Sequence, residues 1–221
     1  MQRHVCAAQD GDRYPAGTGA GGWLAFVGRF APEKGPHIAI DAAVTLGVPL
    51  CMGGQPHWEN EAYFEREIRP RLASARGLVR WGGEVSFGPK LDLLGGARAT
   101  LFPIEWEEPF GLVMIESMLV GTPVVAFARG SAPEVIEDGV TGFLVRNREE
   151  MIDRLRHVGV IDRERCRARA RERFDSVRMA RDYERVYAHA IAARREVGVR
   201  PQAFSQVEFA PGAATSGAID G

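Results

Sequence analysis

A chain of 221 residues with 45% hydrophobic and 26% charged residues has the balance of an ordinary globular domain. Its formal net charge of −1 gives no global field to recruit nucleic acid or an anionic membrane, and no apolar run reaches the roughly 18 residues a membrane span needs. The three cysteines, Cys6, Cys51 and Cys166, are odd in number and far apart, which argues against a disulfide framework or a metal site and for a reducing compartment.

Residues 1–21 are rich in Gly, Ala and Asp and predict a flexible lead-in, with no apolar core of the kind a signal peptide needs. Within them, residues 17–22 match G-x-G-x-x-G. A dinucleotide fingerprint must follow a strand and open a helix. This one precedes the strand at 23–27, so it is read as linker. The strand ends in Gly28-Arg29-Phe-Ala-Pro-Glu-Lys34-Gly35, and a helix follows from about Pro36 to Leu46. Gly28 lets backbone approach a ligand, and Arg29 and Lys34 project from the loop as candidates to neutralise a diphosphate. The ordinary alternative pairs Arg29 with Glu33 and leaves Lys34 in solvent.

Val48–Gly54 reads as a second strand, 60–72 as a charged amphipathic helix, and 78–81 as a third strand. A short helix is expected at 90–94 and a buried strand at 99–102. Then comes Glu108-Pro-Phe-Gly-Leu-Val-Met-Ile-Glu116, with two carboxylates eight residues apart. The pattern predicts a helix over 110–120 with Pro109 at its first position and Glu108 at or near the N-cap. The amides of Phe110, Gly111 and Leu112 would then point beyond the strand's C-terminal end. Helix starts favour anions, and ligands in open α/β sheets bind at that edge. A carboxylate there suits hydroxyls, so the stretch suggests a ligand with both phosphate and sugar. The alternatives are an N-cap role for Glu108 and an internally paired Glu116.

Strands at 121–127 and 142–145 and helices at 130–134 and 148–157 complete an alternation of short apolar strands with helices. That pattern predicts a parallel, Rossmann-like sheet of about six strands covered on both faces. From Ile161 to about 193 the chain is helical. Arginines at 163, 165, 167, 169, 171 and 173 fall on alternate residues, which spreads them over opposite helix faces. The stretch reads as a solvated helix, with a nucleic-acid patch as the competing reading. The last helix carries Met179, Tyr183, Val186, Tyr187 and Ile191 at packing spacing. The expected organisation is a lead-in over 1–21, one Rossmann-like domain with its C-terminal helices over 22–195, and a disordered tail over 196–221.

The motifs Gly28-Arg29-x4-Lys34-Gly35, Glu108–Glu116, Gly121-Thr-Pro-Val-Val-Ala and Gly139-Val-Thr-Gly142-Phe-Leu-Val resemble glycosyltransferase family 4 over about residues 23–190. That family consists of retaining transferases with the GT-B fold, two Rossmann-like domains facing a cleft. The resemblance implies the C-terminal, donor-binding half. It places Arg29 and Lys34 on the diphosphate of a UDP-, GDP- or ADP-sugar and Glu108 on the donor-sugar hydroxyls. It places the amides of Phe110, Gly111 and Leu112 on sugar and phosphate, and Glu116 on the ribose. Gly28 would line the same site, with Arg29, Lys34 and Glu108 carrying the catalysis. No cofactor and no metal are expected. The sequence departs from the family at Ser117, Leu119 and Val120, where Ala, Ala and Cys are usual, and at Ser131, where a second glycine is common.

In that family an N-terminal domain supplies the acceptor site, and only 22 residues precede the first strand here. The expectation is therefore donor recognition with the acceptor half missing and a partner chain as its candidate source. The acceptor, whether carbohydrate, lipid or small molecule, is not readable. The competing reading is a non-catalytic nucleotide-sugar-binding or interaction module, or an inactive fragment. A cytoplasmic location is expected, with peripheral membrane association left open.

Overall fold

The computed structural model describes residues 14–196. The first thirteen residues of the expected lead-in, and the expected tail apart from Glu196, lie outside that range. The chain divides into two compact units, one ending at Met179 and one starting at Ala180. Each is described by itself.

Six parallel strands build the first unit: β1 (Leu24–Val27), β2 (Leu50–Gly53), β3 (Val79–Trp81), β4 (Ala99–Phe102), β5 (Val124–Phe127) and β6 (Gly142–Val145). Their spatial order is β3-β2-β1-β4-β5-β6. Every residue of β4 and β5 is buried, as expected of strands whose apolar runs are covered on both faces. At the β3 edge only Val79 is buried. The strand order reverses between β1 and β4, which pair from Leu24 opposite Ala99. The connections leaving β1 and β4 lead to opposite halves of the sheet from there, the position at which open α/β sheets bind ligands.

The helices are α1 (Pro36–Leu46), α2 (Glu61–Tyr63), α3 (Arg69–Ser74), α4 (Phe87–Gly96), α5 (Leu112–Leu119), α6 (Ala132–Val135), α7 (Arg148–Arg156), α8 (Arg163–Arg173) and α9 (Ser176–Glu196). The single helix expected over 60–72 is instead α2 and α3 joined by a π-helical stretch, Phe64–Ile68. Pro70 lies at the start of α3. It donates no N–H and crowds the preceding turn, and a wider turn before it accommodates both. The two helices α4 and α5 pack together. All of Met114 to Leu119 on α5 is buried, including Glu116 and Ser117. Ser117 uses its hydroxyl there: its Oγ lies 2.7 Å from Thr100 Oγ1 and donates to the Thr122 carbonyl at 2.9 Å.

The end of the expected lead-in is seated rather than free. Gly17, Gly19 and Gly21 donate their amides to the carbonyls of Val120, Gly95 and Gly96 at 2.8–3.0 Å. Tyr14 is buried edge-on against Phe87. The G-x-G-x-x-G stretch thus runs along helix ends and opens no helix of its own.

The expectation of a solvated helix at 163–173 is corrected. Arg163 donates to the carbonyls of Gly17, Ala97 and Gly95 at 3.0–3.3 Å and to Thr122 Oγ1 at 2.6 Å. Arg167 reaches the carbonyls of Leu119 and Tyr14, and Arg173 those of Val135 and Glu134. Arg169 pairs with Glu137 at 2.6 Å and Glu172 at 2.7 Å. Burial lowers the pKa of Arg163. These guanidiniums tie α8 to the ends of α4, α5 and α6 and to the seated residues Tyr14 and Gly17.

The second unit is helical through Glu196, the C-terminal part of α9. Tyr183, Val186, Tyr187 and Ile191 are exposed along it, with the two tyrosine rings 5.9 Å apart. No described helix is long and apolar enough to cross a membrane.

Candidate functional site

Two loops meet where the strand order reverses. The first leaves β1 through Gly28 and Arg29, makes a 3-10 turn at Pro32–Lys34, and enters α1 through Gly35. Gly35 has φ of 67°, and a Cβ there would lie 2.1 Å from the Pro103 carbonyl oxygen. Only glycine allows this turn and this backbone approach. The Glu105 amide donates to the Glu33 carbonyl at 2.8 Å, a second tie between the loops.

The second loop, 103–111, is held from its far side by the loop after β5. The Ser131 amide donates to the Glu108 carbonyl at 2.8 Å, and its hydroxyl to the Phe110 carbonyl at 2.9 Å. Ser131 replaces a usual glycine, and the extra hydroxyl clamps the loop. Arg129 adds a bond to the Glu105 carbonyl at 3.1 Å.

The placement of Glu108 at the helix N-cap is corrected. The cap of α5 is Gly111, at φ 73°, and no side chain caps the helix. Pro109 therefore precedes the helix. Of the three amides expected at its start, only that of Leu112 belongs to α5, while Phe110 and Gly111 form the turn into it. The physical reason is Gly111, whose left-handed conformation ends the loop three residues later than a proline-led start would.

Freed from capping, Glu108 turns to Lys34. Its Oε2 accepts the Lys34 ammonium and, at 2.9 Å, the indole N–H of Trp106. The same ammonium lies 4.7 Å from the centre of the Trp106 ring. Lys34 and Glu108 are 18% and 11% exposed, so this pair is largely shielded from water. Lys34 is not solvated, as the bland reading had it. Arg29 fits its bland reading better: it is 55% exposed and lies 3.4 Å from Glu33.

Gly28 and Arg29 line a cleft of about 390 Å³ with Gly53, Gln55, Glu84 and Lys90. A Cβ on Gly28 would meet only ordinary contacts. Glycine is required instead at the facing Gly54, where φ is 132° and a Cβ would lie 1.9 Å from the Gly28 carbonyl oxygen. Lys90 connects the cleft to the second carboxylate of the motif. Its ammonium lies 2.6 Å from Glu116 Oε1, with the two side chains 21% and 12% exposed. Each carboxylate of the Glu108–Glu116 stretch thus holds a lysine ammonium on the same edge of the sheet.

The sequence reasoning missed both Trp106 and Lys90. A signal existed for Lys90, because a glutamate buried among apolar neighbours needs a cation. His37, on α1, completes the neighbourhood: its Nδ1 is 2.7 Å from the Tyr63 hydroxyl and its Nε2 3.7 Å from Glu105. Burial lowers the His37 pKa and raises that of Tyr63.

With the site described, its relatives can be placed. Residues 22–173 match the family model of glycosyl transferases group 1. The chain belongs to this family. Over 167 residues it is 35% identical to the D-inositol 3-phosphate glycosyltransferases of Mycobacterium tuberculosis (strain ATCC 25618 / H37Rv) and Mycobacterium bovis (strain BCG / Pasteur 1173P2). The match covers 68% of this chain and 32% of each relative, so the chain spans about a third of their length.

Among solved structures, Anabaena Alr3699/HepE in complex with UDP superposes with a TM-score of 0.72 at 24% identity, over 81% of this chain and 55% of that one. AviGT4, a glycosyltransferase involved in avilamycin A biosynthesis, superposes with a TM-score of 0.65 at 29% identity, over 83% and 56%. The Rossmann-like sheet is thus that of GT-B glycosyltransferases.

Proposed function

We propose that this chain binds the donor of a retaining glycosyltransferase, a nucleoside-diphosphate sugar, and contributes to transfer of its sugar to a carbohydrate, lipid or small-molecule acceptor. The observation that carries this reading is the pairing of both motif carboxylates with lysines at the point where the strand order reverses. Arg29 and Lys34 take the diphosphate and stabilise the negative charge that builds on the leaving nucleotide, work that a metal ion does in other transferases. Glu108 accepts donor-sugar hydroxyls, and Glu116 accepts the ribose hydroxyls.

The relatives' names support sugar transfer. Complexes of HepE with UDP and with UDP-glucose make UDP the first nucleotide to test. Proximity of donor and acceptor is a large part of such catalysis. The competing reading is a module that binds nucleotide sugar without transferring it.

Thermal-shift titration with UDP, GDP, ADP and their sugars tests donor binding. A ligand that binds only the folded state raises Tm with concentration. The expected result is a shift for one nucleotide that is lost in Arg29→Ala. No shift from folded protein for any of the three would overturn the reading. With binding established, an assay for sugar transfer in the presence of an acceptor-domain chain separates the two readings, since only the first expects transfer.

A further inference from the structure

Lys90 occupies an unusual position. Phe87, Lys90, Leu91 and Leu94 follow the i, i+3, i+4, i+7 spacing of one helix face. Leu91 and Leu94 are buried, and the Lys90 ammonium lies 5.5 Å from the centre of the Phe87 ring. A lysine on the buried stripe of a helix is costly unless it meets an opposite charge. Here that charge is Glu116 on α5, 2.6 Å away. Both ends of the pair are mostly shielded, and Lys90 also lines the cleft that holds Gly28 and Arg29.

We infer that Lys90 is a positioning residue for nucleotide recognition, fixing the Glu116 carboxylate so that its remaining lone pairs face the ribose hydroxyls. This rests on the donor-binding reading above. A carboxylate beside a diphosphate would otherwise repel the ligand. Paired with Lys90 it presents oriented acceptors at little net charge. The ammonium holds one oxygen, which leaves the carboxylate free to accept from a vicinal diol. The two motif carboxylates then differ in their keepers: Glu108 is held by Lys34, which the ligand's phosphate would recruit, while Glu116 is held by a lysine that stays with it.

The consequence is selectivity for ribose over deoxyribose, dependent on a residue that need not touch the sugar. The test measures affinities of UDP, GDP and ADP, each against its 2′-deoxy counterpart, by calorimetry. The wild type is expected to bind the ribonucleotide about 10-fold more tightly, the worth of one hydrogen bond to a charged group. Lys90→Gln keeps the length of the stem. It should weaken both forms through the unpaired Glu116 charge and bring them to the same affinity, so that the ribose preference is lost, and the binding that remains shows that the variant is folded. Lys90→Gln/Glu116→Gln should be no worse than Glu116→Gln, since the two act as one unit.

A preserved ribose preference in Lys90→Gln, with the preference lost in Glu116→Gln, would overturn the role of Lys90 alone. A wild type that binds none of the three nucleotides would overturn the donor-binding reading together with it.

Discussion

Two groups of shielded cations do opposite things in this fold. On α8, the guanidiniums of Arg163, Arg167 and Arg173 donate to backbone carbonyls. At the sheet edge, the ammoniums of Lys34 and Lys90 hold carboxylates. Carbonyls at helix ends are satisfied here by the fold itself, so those contacts do not depend on a ligand. In the donor-binding proposal both carboxylates take on sugar hydroxyls and Lys34 exchanges Glu108 for phosphate, while Lys90 stays with Glu116. Under the donor-binding proposal, the chemical identity of the partner, more than burial, separates a cation that serves the fold from one that serves a ligand.

The largest expected effect tests the structural side. Arg163→Ala removes donors from the carbonyls of Gly17, Gly95 and Ala97 together. Gly95 keeps the amide of Gly19, and loss of the other bonds should cost about 2–3 kcal/mol, a drop in Tm on the order of 5–15 °C. Nucleotide affinity, measured on the protein that remains folded, should not change. A variant with unaltered Tm would show that these contacts are replaceable after all and would erase the distinction.

The same contrast shows what was legible. The strands, their parallel order class and the carboxylate pair could be read because short apolar runs and an eight-residue spacing are local properties. The β4 strand appears over Ala99–Phe102, the span its apolar run predicts. The partners were not legible. Lys90 and Glu116 are 26 residues apart and Lys34 and Glu108 are 74 apart, and each pair is created by the sheet order. The arginine helix was misread for a related reason. Alternation spreads arginines over two faces, but what each face meets depends on where α8 docks. Glu108 escaped its expected cap because a single left-handed glycine, Gly111, outweighs a favourable proline.

On the binding side, the Lys34–Glu108 pair predicts effects of opposite sign. Lys34→Gln removes a charge-assisted contact to the diphosphate and should weaken UDP about 10-fold or more. Glu108→Ala releases Lys34 from its partner, so free UDP should bind as well as before or tighter, while the nucleotide sugar loses affinity with its hydroxyl acceptor. Calorimetry with UDP and UDP-glucose on both variants decides it. Equal losses for the two ligands in Glu108→Ala would mean that Glu108 serves the loop rather than the sugar.

The smallest effect concerns a third kind of partner, a neutral one. Nδ1 of His37 meets the Tyr63 hydroxyl, and desolvation holds its pKa below the ordinary 6.5 despite the pull of Glu105 in the other direction. The folded state therefore binds a proton on His37 less readily than the unfolded chain does. Its contribution to stability is full above about pH 6.5 and is lost as the pH falls below that value. Tm should decline between pH 7 and pH 5 before the carboxylates begin to protonate, and the slope should flatten in His37→Gln. His37 does not line the cleft of Gly28, Arg29 and Lys90, so nucleotide affinity in the variant should keep the wild-type pH profile. If His37→Gln flattens the affinity profile as well, the histidine belongs with the ligand-exchangeable groups of the cleft rather than with the fixed contacts of the fold.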